Sequence, residues 1–260
     1  FTTQNKLYLI DKNGKDVAPF PKKFNNLITQ GLSIFDYANS GRYRFVIVQG
    51  ENTRLFNREL KEINGFDYKP DGKITSSLKH VRIGKKDYIL TESGVGNTQI
   101  LNRKGEPRIK NEKDVAFSNK GIFEYNDKFI TTSISGNLIK ITQSGAVEKL
   151  DLKLTKDHLF TASHQNWVII DENRLIINSN EKELDYGLYT SPQIHQLNDR
   201  TLISFTDKQA GKIYLFTNQG ELLPGFPIYG KTAIDLYENA QNELVFTCLG
   251  EDNAVLVYEL

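Results

Sequence analysis

"GKIYLFTNQGELLPGFP", residues 211–227, decides the fold. An apolar strand ends at Phe216, a polar turn follows at Asn218-Gln219-Gly220, and a second apolar segment leaves toward Gly225-Phe226-Pro227. "NKLYLIDKNGKDVAPFP", residues 5–21, keeps the same order near the N-terminus. One strand–turn–strand unit written near both ends of a chain is the mark of an internal repeat.

Comparable turns begin at Asp11, Asn57, Asn102, Thr142, Asn178 and Thr217, at spacings of 46, 45, 40, 36 and 39 residues. Four of the six carry glycine at the fourth place: Gly14, Gly105, Gly145 and Gly220. A hairpin loop built on a type I turn needs a left-handed residue there, which glycine adopts without a Cβ clash. Backbone geometry therefore explains these glycines, and no phosphate cradle is read from them. Between the turns lie short runs rich in β-branched and aromatic residues, such as "YRFVIVQG" (43–50) with "TRLFN" (53–57), and "TLISFTD" (201–207) with "KIYLFT" (212–217). Turns every 8–12 residues between such runs indicate consecutive antiparallel strands. The best helical candidate, "TRLFNRELKEI" (53–63), falls on a turn of the repeat and reads as a hairpin.

Four strands per repeat, repeated six times, predict an all-β chain: a β-propeller of four-stranded antiparallel blades, with six complete repeats plus a partial seventh. A blade alone cannot bury both of its faces; standing between two neighbours it can. Residues 1–260 are expected to form a single propeller domain. The chain carries no methionine and opens at Phe1 inside an alternating run, so it reads as a fragment of a longer chain extending upstream.

Composition narrows the function classes. A net charge of +1, with both signs interleaved, leaves no basic stripe for phosphates, so no nucleic acid is expected as a partner. No apolar run reaches the ~18 residues of a transmembrane segment. The single cysteine, Cys248, excludes an intrachain disulfide and lies in a strand-like run.

The unit at Asn218 to Pro227, "NQGELLPGFP", with its echo "NGKDVAPFP" from Asn13 to Pro21 and a weaker one at Asn64-Gly65-Phe66, resembles bacterial envelope propellers of the broad PQQ-like and FG-GAP-like group. Such propellers are common in secreted proteins and lipoproteins, so the resemblance implies an extracytoplasmic location, periplasm or cell surface. Two departures bear on ligands. Calcium-binding loops of that group carry alternating Asp and Asn, whereas Asp11-Lys12-Asn13-Gly14 puts a lysine between its two oxygen side chains. Quinone-binding members use recurrent tryptophans, and this chain has one, Trp167. No cofactor and no metal are expected.

His80, His158, His164 and His195 show no metal-ligand spacing on one strand face. No pair of acids is spaced for acid–base work, and "SGVGN" (93–97) lacks the strand–nucleophile–helix context of a hydrolase elbow. No catalytic residue is assigned. The connection "LDYGLYTS" (184–191) offers Tyr186 and Tyr189 as an exposed pair and a possible partner-binding loop. The resulting expectation is a non-catalytic protein-interaction or ligand-binding module of the bacterial cell envelope, its partner another protein or a glycan. The alternative is a glycan-active hydrolase or lyase with catalytic carboxylates at the channel mouth. A cluster of carboxylates with displaced pKa values would favour the enzyme; a mixed or apolar patch would favour the module.

Overall fold

The computed structural model describes residues 1–110 and 115–260. The chain divides into two compact units, residues 1–123 with 127–150, and residues 124–126 with 151–260. Strands are joined in chain order into antiparallel sheets. β1 (Lys6–Leu7) pairs with β2 (Lys22–Lys23), and β3 (Ser33–Phe35), β4 (Arg44–Gln49) and β5 (Asn52–Phe56) form a three-stranded sheet. β6 (Lys79–Ile83), β7 (Lys86–Ser93), β8 (Asn97–Leu101) and β9 (Pro107–Ile109) form the first four-stranded sheet. The second is β10 (Phe123–Tyr125), β11 (Lys128–Thr132), β12 (Asn137–Ile141) and β13 (Val147–Asp151). The third is β14 (Leu159–Ala162), β15 (Trp167–Asp171), β16 (Arg174–Ile177) and β17 (Asn180–Glu183). The fourth is β18 (Gln193–Gln196), β19 (Thr201–Asp207), β20 (Lys212–Thr217) and β21 (Ile228–Tyr229). β22 (Asp235–Glu238), β23 (Leu244–Leu249) and β24 (Val255–Glu259) close the series with three strands. Helical structure among the described residues is confined to two single 3₁₀ turns, Tyr37–Asn39 and Glu251–Asn253.

Four of the seven sheets thus carry four strands, where the repeat reading expects six complete units. In the β3–β5 sheet the segment after the turn makes one bridge, Phe56 to Glu62. The chain then enters "NGFDYKPDGK" (64–73), where Gly65 and Gly72 take positive φ and Pro70 has no N–H to give a ladder. "TRLFNRELKEI" is a strand and hairpin turn, as its place in the repeat requires.

The turns show why the repeat is written as it is. Asp11, Asn57 and Asn102 each accept two backbone N–H groups on Oδ1, from two and four residues on: Asn57 from Glu59 (3.1 Å) and Lys61 (2.9 Å), Asn102 from Lys104 (2.7 Å) and Glu106 (3.2 Å). A short side-chain carbonyl or carboxylate closes its own turn in this way. The fourth place is left-handed in all three, at Gly14, Leu60 and Gly105, so Leu60 adopts φ +57° without glycine's freedom. The turn at Asn178 is different. It is a two-residue loop between β16 and β17, with positive φ at Asn178 and Ser179, so Glu181 falls inside a strand.

Side-chain alternation splits each central strand between two cores. On β4, Phe45 and Ile47 join a cluster with Leu7 and Phe24, while Val46 and Val48 join Leu78, Ile89 and Leu101 of the next sheet. On β7, Ile89 faces back and Tyr88 and Leu90 face forward to Phe129 and Ile139. In the second unit, Tyr214 and Phe216 face Val168 and Ile170, while Ile213 and Leu215 face Phe246 and Cys248. Within each unit, consecutive sheets are therefore stacked face to face, and each buried Ile, Leu or Phe contributes about 1.5–3 kcal/mol relative to exposure. The β22–β24 sheet spends one face on this packing and leaves Tyr237, Val255 and Val257 exposed on the other.

Candidate functional site

The connection Leu184–Ser191 is held in place by a buried carboxylate. Asp207, at the end of β19, is 2% exposed, and its Oδ1 accepts N–H groups of Leu188 (3.3 Å), Gln209 (2.9 Å) and Ala210 (3.1 Å). The loop comes so close that a Cβ on Gly187 would sit 2.5 Å from Asp207 Oδ2. Glycine at this place is required by the approach of backbone to carboxylate. Thr190 N–H donates to Thr206 O at 2.8 Å, and Lys208 N–H to Leu188 O at 2.9 Å. The neighbouring connection is fixed in the same way: Asp171, at the end of β15, accepts the N–H and hydroxyl of Thr155 at 3.1 and 2.5 Å. His158, itself buried, donates from Nδ1 to Thr155 O at 2.6 Å.

Between these two connections opens a cleft of about 370 Å³, with Lys156, Asp157, Glu172, Leu159, Leu188 and Tyr189 on its walls. Its floor is apolar and its rim carries both signs of charge. Tyr186 is 80% exposed beside it and Leu188 is 58% exposed. The expected exposed pair is corrected at Tyr189, which is 7% exposed. Its ring packs edge-on against Phe205 at 5.5 Å, and its hydroxyl donates to Asp185 O, which folds the loop back upon itself. Burial raises its pKa, so it is a wall of the cleft and not a proton donor near neutrality. Tyr186 alone faces solvent.

Four carboxylates are buried among the described residues: Asp87, Glu92, Asp171 and Asp207. The last two are occupied as described. Asp87, on β7, accepts from His80 Nε2 (2.9 Å), Arg82 Nη1 (3.0 Å) and Arg103, with Ala38 N–H at 3.4 Å. Burial disfavours its charge, but the bonds from Arg103, His80 and Arg82 outweigh burial and hold the carboxyl at about 2. Glu92 is raised by burial and accepts Gly121 N–H at 3.0 Å. Facing it is Lys79, lowered by burial to about 8, whose Nζ donates to Ile122 O at 3.2 Å and lies over the Phe123 ring. Glu92 and Lys79 are a shifted acid and base, yet neither lines the cleft described here, and Glu92 is 2% exposed.

The remaining candidates are placed as follows. His195 is half-buried with Nε2 2.7 Å from Ser204 Oγ, and burial lowers its pKa. His164 is exposed and 2.9 Å from Glu124. No group of three His, Cys, Asp or Glu that could hold a metal ion occurs among the described residues. Cys248 is buried with its thiol pKa raised by burial, and Trp167 is core. No helix among the described residues is long and apolar enough to cross a membrane. Sequence reading missed the Asp87 cluster, whose members come from two strands and a turn; alternation alone places His80 and Arg82 on one face of β6, and that was the available signal.

No protein-family model matches the chain, and no curated sequence matches it. Solved structures do. BamB from Moraxella catarrhalis aligns with a TM-score of 0.61 at 15% identity, covering 100% of this chain and 78% of that one. Virginiamycin B lyase from Staphylococcus aureus aligns at 0.56 and 18%, covering 88% of each chain. The dihydro-heme d1 dehydrogenase NirN, in complex with DHE, aligns at 0.66 and 14%, covering 99% of this chain and 61% of that one. These likenesses show the fold, that of a β-propeller. Two of the three are named as enzymes and one is not, so the fold selects no function.

Proposed function

We propose that this protein is a non-catalytic protein-interaction module of the bacterial cell envelope, located outside the cytoplasm, and that it engages its partner through the Leu184–Ser191 cleft. Its six repeats and partial seventh are, in this reading, the blades of one propeller domain over residues 1–260. The observation that carries the reading is the contrast between the cleft and the buried acids. The cleft is mixed in character, apolar at the floor and ringed by Lys156, Asp157 and Glu172, with Tyr186 and Leu188 exposed at its edge. That is the composition of a recognition surface, an aromatic anchor beside a polar rim. Asp87, Asp171 and Asp207 each accept several fixed donors and so have no proton-transfer role at a substrate.

The test is site-specific photo-crosslinking in cells of the native bacterium. A photoreactive phenylalanine at position 186 is expected to give one discrete protein adduct in the envelope fraction, lost when Leu188→Asp is added. The same label at Tyr229, exposed on β21, is expected to give none of that adduct. Equal labelling from both positions, or turnover of a glycan substrate that survives Tyr186→Ala, would overturn the reading.

A further inference from the structure

A second cleft, of about 380 Å³, opens in the first unit between the turn joining β3 to β4 and the turn after β5. Arg42, Arg44 and Arg58 line it, against one carboxylate, Glu59. None of these three arginines has a carboxylate within 4 Å among the described residues. The neighbouring acid, Asp36, is engaged by its own turn: it accepts the N–H groups of Ser40 (2.9 Å) and Gly41 (3.0 Å) and the Ser40 hydroxyl (3.3 Å).

The repeat shows what is missing. Asn57 and Asn102 open equivalent turns, with the same pair of backbone N–H groups on Oδ1, and each is followed by an arginine, Arg58 and Arg103. Arg103 closes on the internal carboxylate of Asp87, together with Arg82 and His80. Asp87 stands two residues before Ile89, the cross-strand partner of Leu101. In the β3–β5 sheet the residue two before Phe45, the cross-strand partner of Phe56, is Tyr43. Arg58 keeps the place of Arg103, but Tyr43 takes the place of the carboxylate, and Asp36 and Ile34 take the places of Arg82 and His80.

Arg44 is also pre-ordered. Arg44 donates from Nη1 to Arg42 O at 3.0 Å, and its guanidinium carbon lies 4.5 Å from the centre of the Tyr37 ring. Arg103 lies on the same ring at 4.9 Å. Tyr37 is 8% exposed and its hydroxyl has no hydrogen-bond partner, an unpaired group beside the guanidinium that lines the cleft. Side chains already held by stacking lose little freedom on binding, and paired N–H forks match a carboxylate in two parallel bonds.

We propose that this cleft binds a carboxylate supplied from outside the chain, held by Arg42, Arg44 and Arg58. The carboxylate comes either from a free dicarboxylate or from an acidic side chain of a peptide, and the experiment separates the two.

Arginine Nε–Hε signals of the full chain are followed by NMR during titration with succinate and with a hexaglutamate peptide. Succinamide and hexaglutamine serve as neutral counterparts. The acids are expected to shift the Arg42, Arg44 and Arg58 signals and to leave Arg103, whose partner is internal, in place. Arg58→Gln is expected to weaken binding about tenfold, with Arg58→Lys between it and the wild type, since lysine keeps the charge and loses the fork. Glu59→Gln is expected to strengthen it. Whichever acid binds more tightly identifies the source. No shift up to roughly 10 mM acid, equal shifts with the amides, or undiminished shifts of Arg44 in an Arg42→Gln/Arg58→Gln double variant would overturn the proposal.

Discussion

Asp87 in the first unit and Asp207 in the second are both buried aspartates next to a turn, and the two are satisfied by different means. Asp87 is surrounded by side chains that carry charge, Arg82, Arg103 and, when protonated, His80. Asp207 is surrounded by backbone N–H groups of Leu188, Gln209 and Ala210. A carboxylate neutralised by cations is coupled to pH and to every member of its cluster. One bound by backbone amides is coupled to the path of the chain, and so it fixes the Leu184–Ser191 connection.

Asp87→Asn breaks the comparison most strongly. It leaves Arg82 and Arg103 without their counter-charge, and it is expected to lower the stability of the chain by about 3 kcal/mol in urea unfolding. The pH dependence follows from the same group. Its pKa in the folded protein, about 2, lies below the ordinary aspartate value of 3.8, so its stabilisation is complete above about pH 4 and is lost as pH falls toward 2. The expected loss is about 2 kcal/mol, measured by urea unfolding across that window, and Asp87→Asn is expected to remove it.

The second unit responds to backbone changes instead. Gly187→Ala forces a Cβ against Asp207 and is expected to cost about 1.5 kcal/mol, with Leu188 N–H losing its protection in hydrogen exchange. Asp207→Asn keeps an oxygen for the three N–H donors and is expected to cost about 1 kcal/mol in the same unfolding assay. A loss at Asp207→Asn as large as that at Asp87→Asn would remove the distinction between the two regions.

Much of the fold is legible in the sequence because its determinants are local. Asn57 and Asn102 close their own turns, and the alternation in "YRFVIVQG" assigns Phe45 and Val46 to opposite cores. The turn at Asn178 misleads because its left-handed residues are Asn and Ser, so the two-residue loop carries no glycine signal. Strand number per sheet is less legible, since a fourth strand is decided by a few ladder bonds at an edge, such as the single bridge at Phe56. The site is legible only in part. Tyr186 and Tyr189 stand three apart in one polar loop, and nothing local says that Phe205, brought alongside by sheet packing, covers the second of them. Gly187, between them, is the local sign of close approach, though its partner Asp207 lies twenty residues on. The Asp87 cluster is assembled from residues 80, 82, 87 and 103; spacing pairs His80 with Arg82 on one face of β6, and nothing local brings Arg103 to them.

In the proposed reading Asp87, Asp171 and Asp207 hold the structure and are not proton donors or acceptors for a reaction. A carbon-13 NMR titration of the Asp87 carboxyl tests it most directly. A midpoint near pH 2 is the predicted result. A midpoint at or above the ordinary carboxylate range would mean that the arginines do not hold the charge, and would return Asp87 to the acids available for catalysis.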